Sequence, residues 1–210
     1  MKDLIFLHGF ASDSNAFKAK YLNEKLKEYP EIIFHRPNFN SSAEDFQYKT
    51  ITGMIARLRE YILANDLKDP YIIASSLGGI VALNYVNRFK QISGMLLLAP
   101  MTKFFDIYPK EVEAWKNQGY SKIYTRFAGD VHLSYGFRQD GQNYLNTVAP
   151  IDNTKIIHGK YDGVVPFVDS LNYCREYGLE LISLNSNHTL SGQASLDSIW
   201  LETKKMLSLS

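Results

Sequence analysis

Two kinds of hydrophobic pattern alternate along this chain. Short runs that are apolar almost throughout include "DLIFLHG", "EIIFHRPNF", "DPYIIASS", "ISGMLLLAP", "NTKIIHGKYD" and "LELISLN". A strand with one wet face alternates apolar and polar residues, whereas a run without alternation suits a parallel strand buried on both faces. Between these runs, apolar residues recur every three or four positions, the spacing of an amphipathic helix. "SNAFKAKYLNEKLKEY" gathers Phe17, Tyr21, Leu22 and Leu26 on one predicted face. "SSAEDFQYKTITGMIARLREYILAN" reads as a helix through Ile51, Ile55, Leu58 and Ile62. "LGGIVALNYVNRF", "VPFVDSLNYCREYG" and "ASLDSIWLETKKMLSL" read the same way. Strand–helix alternation of this length predicts an α/β fold, a three-layer α/β/α sandwich around a mainly parallel sheet of about six strands.

The alternation breaks once, between Pro100 and Ile151. That stretch carries Phe104, Phe105, Tyr108, Trp115, Tyr120, Tyr124, Phe127, Tyr135, Phe137 and Tyr144. "KIYTRF-AGD-VHLSYGF" reads as a hairpin around a glycine-containing turn, and a helix is expected after Pro109. Residues 101–150 are therefore read as a lid-like or cap-like insertion within a single domain spanning 1–210. Most of its aromatics are expected to form a small core of their own, with a few left to line a pocket.

Charge and composition narrow the function classes. The 23 basic and 22 acidic residues nearly cancel, which removes the electrostatic footprint of a nucleic-acid or anionic-membrane binder. The apolar runs are too short to span a bilayer, and "MKDLIFLHGF" reads as a first strand, not a signal peptide. Cys174 is the single cysteine, so no internal disulfide forms and a reducing, cytoplasmic location is expected. It reads as an apolar filler on a helix.

The stretch "YIIASSLGG" carries candidate chemistry: a strand ends, a sharp turn follows and a helix begins. A nucleophile on such a turn needs small residues two before and two after it, so that strand and helix can approach. Around Ser76 these are Ala74 and Gly78; around Ser75 they would be Ile73 and Leu77. Sterics choose Ser76, with Ala74 standing where glycine is more usual. The new helix would aim its dipole and the Leu77 N–H at negative charge developing there.

A serine hydroxyl needs a base, and the base an orienting acid, in the chain order Ser, acid, His on this architecture. Asp162 follows the strand in "KIIHGKYDGVVP" and His188 follows the strand in "LELISLNSNHTL". Both fall at carboxyl ends of strands, where open parallel sheets build sites. Asp152 precedes its strand, and Asp169 is expected on a solvent-facing helix. His158 reads as a hydrogen-bonded wall residue, His132 as a hairpin residue and His35 as structural. After the first strand, Gly9 lets the backbone pass close to the site and the Phe10 N–H is a candidate second oxyanion donor. His8 is read as bracing that loop.

"LHGF", "SSLGG", "HGKYDGVVP" and "NH", in this order, resemble the α/β-hydrolase superfamily. The opening "LHGFASDSNAFKAKYLNEKL" is similar to small YqiA-like serine esterases, which lack the N-terminal strands of larger members. The resemblance is weakest over 101–150. It implies a Ser76–His188–Asp162 triad, an oxyanion hole of Phe10 and Leu77 amides, and no cofactor or metal. The expected function is a serine carboxylesterase acting on small acyl or aryl esters as its small-molecule partner. Thioesterase, peptidase or amidase and acyltransferase activities share the same triad, with Glu111 and Glu113 conceivable amine-holding residues for a peptidase. A non-catalytic hydrolase-fold ligand-binding protein is the alternative from another class.

Overall fold

The computed structural model describes residues 1–106 and 109–210, so Tyr108 lies outside the described residues. Its strands are β1 (Lys2–Leu7), β2 (Ile32–His35), β3 (Tyr71–Ser75), β4 (Gly94–Leu98), β5 (Tyr120–Thr125), β6 (Gly129–Ser134), β7 (Thr154–Gly159) and β8 (Glu180–Leu184). Its helices are α1 (Phe17–Leu26), α2 (Ala43–Gln47), α3 (Ile51–Ala64), α4 (Leu77–Phe89), α5 (Val112–Gln118), α6 (Gly136–Gly141), α7 (Phe167–Tyr177) and α8 (Gln193–Leu207). Six strands pair in parallel in the order β2-β1-β3-β4-β7-β8, while β5 and β6 form a separate antiparallel pair.

The unbroken apolar strand runs now have a reason. Leu4 and Phe6 of β1 pack with Leu22 and Leu26 of α1 and Ile199 and Leu207 of α8. Ile5 and Leu7, the intervening residues, pack into the other cluster with α3, α4 and α7. Successive strand residues point to opposite faces, and each face is covered by helices. All six strands run one way, so their carboxyl ends share one edge of the sheet.

Three local expectations are corrected. On α1 the buried stripe is Ala19, Leu22 and Leu26, whereas Phe17 is exposed. At about 100° per residue Phe17 falls on the opposite side from that stripe. The stretch before Asn65 is two helices, not one. Ser42 caps α2 by accepting from the Asp45 N–H, and Thr50 caps α3 by accepting from the Gly53 N–H at 2.9 Å. The chain between them, including Lys49, is thereby released from helical geometry.

The third correction concerns residues 101–150. The hairpin β5–β6 and the helix after Pro109 are present. The aromatics do not form a core of their own, however. Phe104, Phe137 and Tyr144 are buried in the same apolar cluster as α3 and α4. Polar bonds fasten the end of the segment to those helices. Asp140 accepts from the Thr52 N–H at 2.9 Å, and Arg88 donates to the Tyr144 hydroxyl at 3.0 Å. Among the described residues no helix is long and apolar enough to cross a membrane.

Candidate active site

The turn from β3 to α4 holds Ser76 at φ 54° and ψ −119°. A positive φ is rare for a residue with a side chain and stores strain. The surroundings hold it in place: its N–H donates to the Leu98 carbonyl at 3.0 Å, and its carbonyl accepts from Gly79 and Met101. A Cβ on Gly78 would lie 2.8 Å from the Leu7 carbonyl oxygen, which is the close approach that the small-residue rule requires. Ser75 is buried at 7% exposure, while Ser76 is half-buried and can be reached.

From Ser76 a continuous hydrogen-bonded chain runs inward. The Ser76 Oγ lies 3.0 Å from His188 Nε2, and His188 Nδ1 lies 2.7 Å from Asp162 Oδ2. A carboxylate accepts only, so Nδ1 carries the proton and Nε2 is left to accept from the serine hydroxyl. The Asp162 side chain is fully buried. Its Oδ1 accepts the Val164 and Val165 N–H groups at 2.8 and 2.9 Å. Burial by itself would raise its pKa; the hydrogen bonds from His158, His188 and Val164 outweigh that and hold it far below the usual carboxylate range.

His158 sits closer to this chemistry than its reading as a wall residue implies. Its Nε2 lies 2.9 Å from Asp162 Oδ2 and 3.2 Å from the Val165 carbonyl, both acceptors, so Nε2 carries the proton. Its Nδ1 then accepts from the Ser170 hydroxyl at 2.7 Å. Two imidazoles therefore donate to one carboxylate oxygen. The sequence places His158 four residues before Asp162 at a strand end, but that spacing does not tell which way the ring turns.

The loop carrying His188 is set by β7 and α1. A Cβ on Gly159 would lie 2.3 Å from the Ser186 carbonyl oxygen, so only glycine lets the loop cross there. Lys18 of α1 donates to the Thr189 carbonyl at 2.8 Å.

On the other side of Ser76 the loop after β1 closes in. A Cβ on Gly9 would lie 3.3 Å from the Ser76 Cβ. The buried His8 accepts the Phe39 N–H at Nε2 (3.0 Å) and so donates from Nδ1 to the Gly9 carbonyl at 2.8 Å. Burial is the main cause that lowers the His8 pKa to about 4, keeping the ring neutral. The N–H groups of Phe10 and Leu77 donate to no carbonyl or side chain among the described residues. Both residues line an apolar pocket walled further by Met101, Phe104, Trp115, Ile123, Leu133 and Phe137. Of its acidic lining residues, Asp106 is paired with Arg138 at 2.8 Å, and Glu111 is exposed.

The remaining candidates lie apart. His35 bonds Asp3 and the Tyr61 hydroxyl, His132 stacks on Tyr120 on the hairpin, and Asp152 is exposed before β7. Asp169 is in the first turn of α7 and half-buried, and Glu113 is exposed on α5. Cys174 is buried, and burial pushes its thiol up to about 11, which makes it inert. Among the described residues no group of three or more His, Cys, Asp or Glu is placed to hold a metal ion.

Over residues 4–169 the chain matches the profile described as the alpha/beta hydrolase family. The chain belongs to that family. A Mycoplasma pneumoniae protein provisionally named an esterase/lipase is 28% identical to this hydrolase-family chain over 107 residues, 48% of this chain and 38% of that protein. The match thus spans well under half of that relative's length. Among solved structures, a provisionally named hydrolase of Agrobacterium vitis S4 superposes with a TM-score of 0.77 at 19% identity, covering 98% of this chain and 87% of that one. Est1E of Butyrivibrio proteoclasticus, solved with ferulic acid bound, superposes with a TM-score of 0.73 at 16% identity over 99% of this chain and 89% of its own. At these identities the structural likeness speaks for the fold: a parallel sheet flanked by helices.

Proposed function

We propose that this hydrolase is a serine carboxylesterase whose catalytic residues are Ser76, His188 and Asp162. The observation that carries the reading is the relay itself. A strained, reachable serine ends a hydrogen-bonded chain to a buried carboxylate, beside two unpaired amides and an apolar pocket. Ser76 Oγ attacks the ester carbonyl carbon as its proton passes to His188 Nε2, and Asp162 holds the resulting imidazolium. The Phe10 and Leu77 N–H groups bind the oxyanion. Collapse expels the alcohol, which takes the proton from His188, and leaves an acyl-serine. Water then attacks that carbonyl with His188 as base, releasing the acid and restoring the serine.

The aromatic and aliphatic pocket walls support a small acyl or aryl substituent as the bound group. The lone buried thiol supports a cytoplasmic setting. A fluorophosphonate probe and a panel of nitrophenyl esters of graded acyl length test the reading together. Ser76→Ala is expected to lose labelling and about 10⁴-fold in turnover, while Ser75→Ala keeps both. Esterase activity surviving in pure Ser76→Ala protein overturns the assignment. Turnover of thioesters or amides in place of esters would keep the relay and change the substrate class, since the same residues serve all three.

A further inference from the structure

A lysine lies inside the protein next to the oxyanion loop, and the relay does not use it. Lys49, in the short link between α2 and α3, is 5% exposed. Lysine is almost never this deeply buried, because taking an ammonium out of water is costly unless its donors are satisfied. Here the charge that acts on it is a like one, Arg57, itself paired with Asp45. The Lys49 Nζ instead donates to the Phe10 carbonyl at 2.9 Å and to Asn40 Oδ1 at 3.0 Å. It also stands 4.8 Å from the Phe10 ring centre and 4.7 Å from that of Phe46, within cation–π range. A methionine would occupy similar space without burying a charge, so the position asks for a donor.

What that donor grips decides its role. The buried Asn40 amide also donates to the Phe10 carbonyl, at 2.9 Å, and to the Ser12 carbonyl at 2.6 Å. The preceding carbonyl, that of Gly9, is held by His8. The Phe10 N–H belongs to the Gly9–Phe10 peptide, which is planar and trans, so it points away from the Gly9 carbonyl. With the carbonyls on both sides of Phe10 fixed, both of its backbone dihedrals are fixed, and so is the direction of its N–H.

We propose that Lys49, together with Asn40, is a positioning residue for the oxyanion hole, holding the Phe10 carbonyl so that the Phe10 N–H faces the developing oxyanion. This rests on the reading of Ser76 as nucleophile and adds to it a group that never touches substrate. Burial, reinforced by Arg57, lowers the Lys49 pKa to about 7, which reflects how little solvent reaches this network.

Fluorophosphonate labelling tests it without knowledge of the natural substrate, because the phosphoryl oxygen occupies the oxyanion hole as the serine attacks. Loss of one oxyanion donor costs about 10²–10³-fold, and a donor left in place but loosened is expected to cost Lys49→Met about 10-fold or more in labelling rate and in kcat on nitrophenyl acetate, with KM nearly unchanged. Lys49→Gln retains a shorter, neutral donor and is expected to fall between Lys49→Met and the parent. If Lys49→Met does not fold, a smaller fall of the same kind in Lys49→Gln, at unchanged KM, carries the test. A folded variant with parental labelling rate and kcat, or a loss confined to KM or to thermal stability, overturns the proposal. Ser76→Ala run in parallel separates the two readings. If it still labels, the nucleophile assignment has failed; if it does not label while Lys49→Met labels at the parental rate, the positioning role alone has failed.

Discussion

His158 shows how one side chain can act through another. It shares the Asp162 Oδ2 with His188, donating along a 2.9 Å contact from a fully buried ring. A buried hydrogen bond to a charged group contributes about 1.5–3 kcal/mol. Removing this one in His158→Phe leaves Asp162 with one fewer donor and frees its orientation toward His188. The expected result is a fall of about tenfold or more in kcat/KM, with Ser76 still labelled by a fluorophosphonate, only more slowly. Parental kcat/KM in folded His158→Phe protein would show that His188 and the two backbone amides hold Asp162 without it. Sequence alone named Asp162, because chain order and position after a strand apply to the acid. It did not reveal that a second histidine braces that acid, because no periodicity or spacing rule tells which way a strand-end ring turns.

At the scale of elements, the site depends on where one backbone can pass another. β7 ends at Gly159, and the loop after β8 crosses it so closely that an added Cβ would sit 2.3 Å from the Ser186 carbonyl and 2.7 Å from the Asn187 carbonyl. These are backbone atoms, which cannot step aside by changing rotamer. Gly159→Ala is therefore expected to lower stability by about 1–3 kcal/mol, as overpacking does, and to displace His188 from Ser76. Urea denaturation checks the first effect and the rate of phosphonate labelling the second. A stable, fully reactive Gly159→Ala protein would mean that the loop has another path. The strands themselves were legible because both their faces are dry, which removes polar residues from the run. The break between α2 and α3 was less so. Its apolar spacing continues past Tyr48, and the cap at Thr50 is what divides the helix.

For the whole molecule, the buried His8 ties folding to pH. In the fold its ring takes a proton only near pH 4, and in the unfolded chain near 6.5. Between those values the unfolded chain binds more protons, so acidification favours unfolding, and the stability present above pH 6.5 is lost as pH falls toward 4. Asp162, held far below the ordinary carboxylate range, adds a loss of the same sign at still lower pH. The His8 contribution is about 3 kcal/mol at 1.36 kcal/mol for each pKa unit. Urea midpoints are expected to drop between pH 7 and 4.5, and the His8 ring signals in an NMR titration should remain those of a neutral imidazole across that range. Early protonation of His8 in the folded protein, near pH 6, would contradict this account.

The linear order of apolar runs determined the layered fold, since strands that must be buried on both faces have few ways to pack. The small residues around Ser76, with Asp162 and His188 after later strands, marked the candidate relay, because a parallel sheet brings the carboxyl ends of all its strands to one edge. Tertiary structure alone decided what depends on direction and contact. Phe104, Phe137 and Tyr144 share a core with α3 and α4, because apolar surface on either side of a contact is buried at lower free energy together than apart. Lys49 comes to rest on the Phe10 carbonyl and His158 on Asp162, partners that stand 39 and four residues away in the chain. A local pattern records which residues avoid water; it does not record which backbone carbonyl a buried donor will meet.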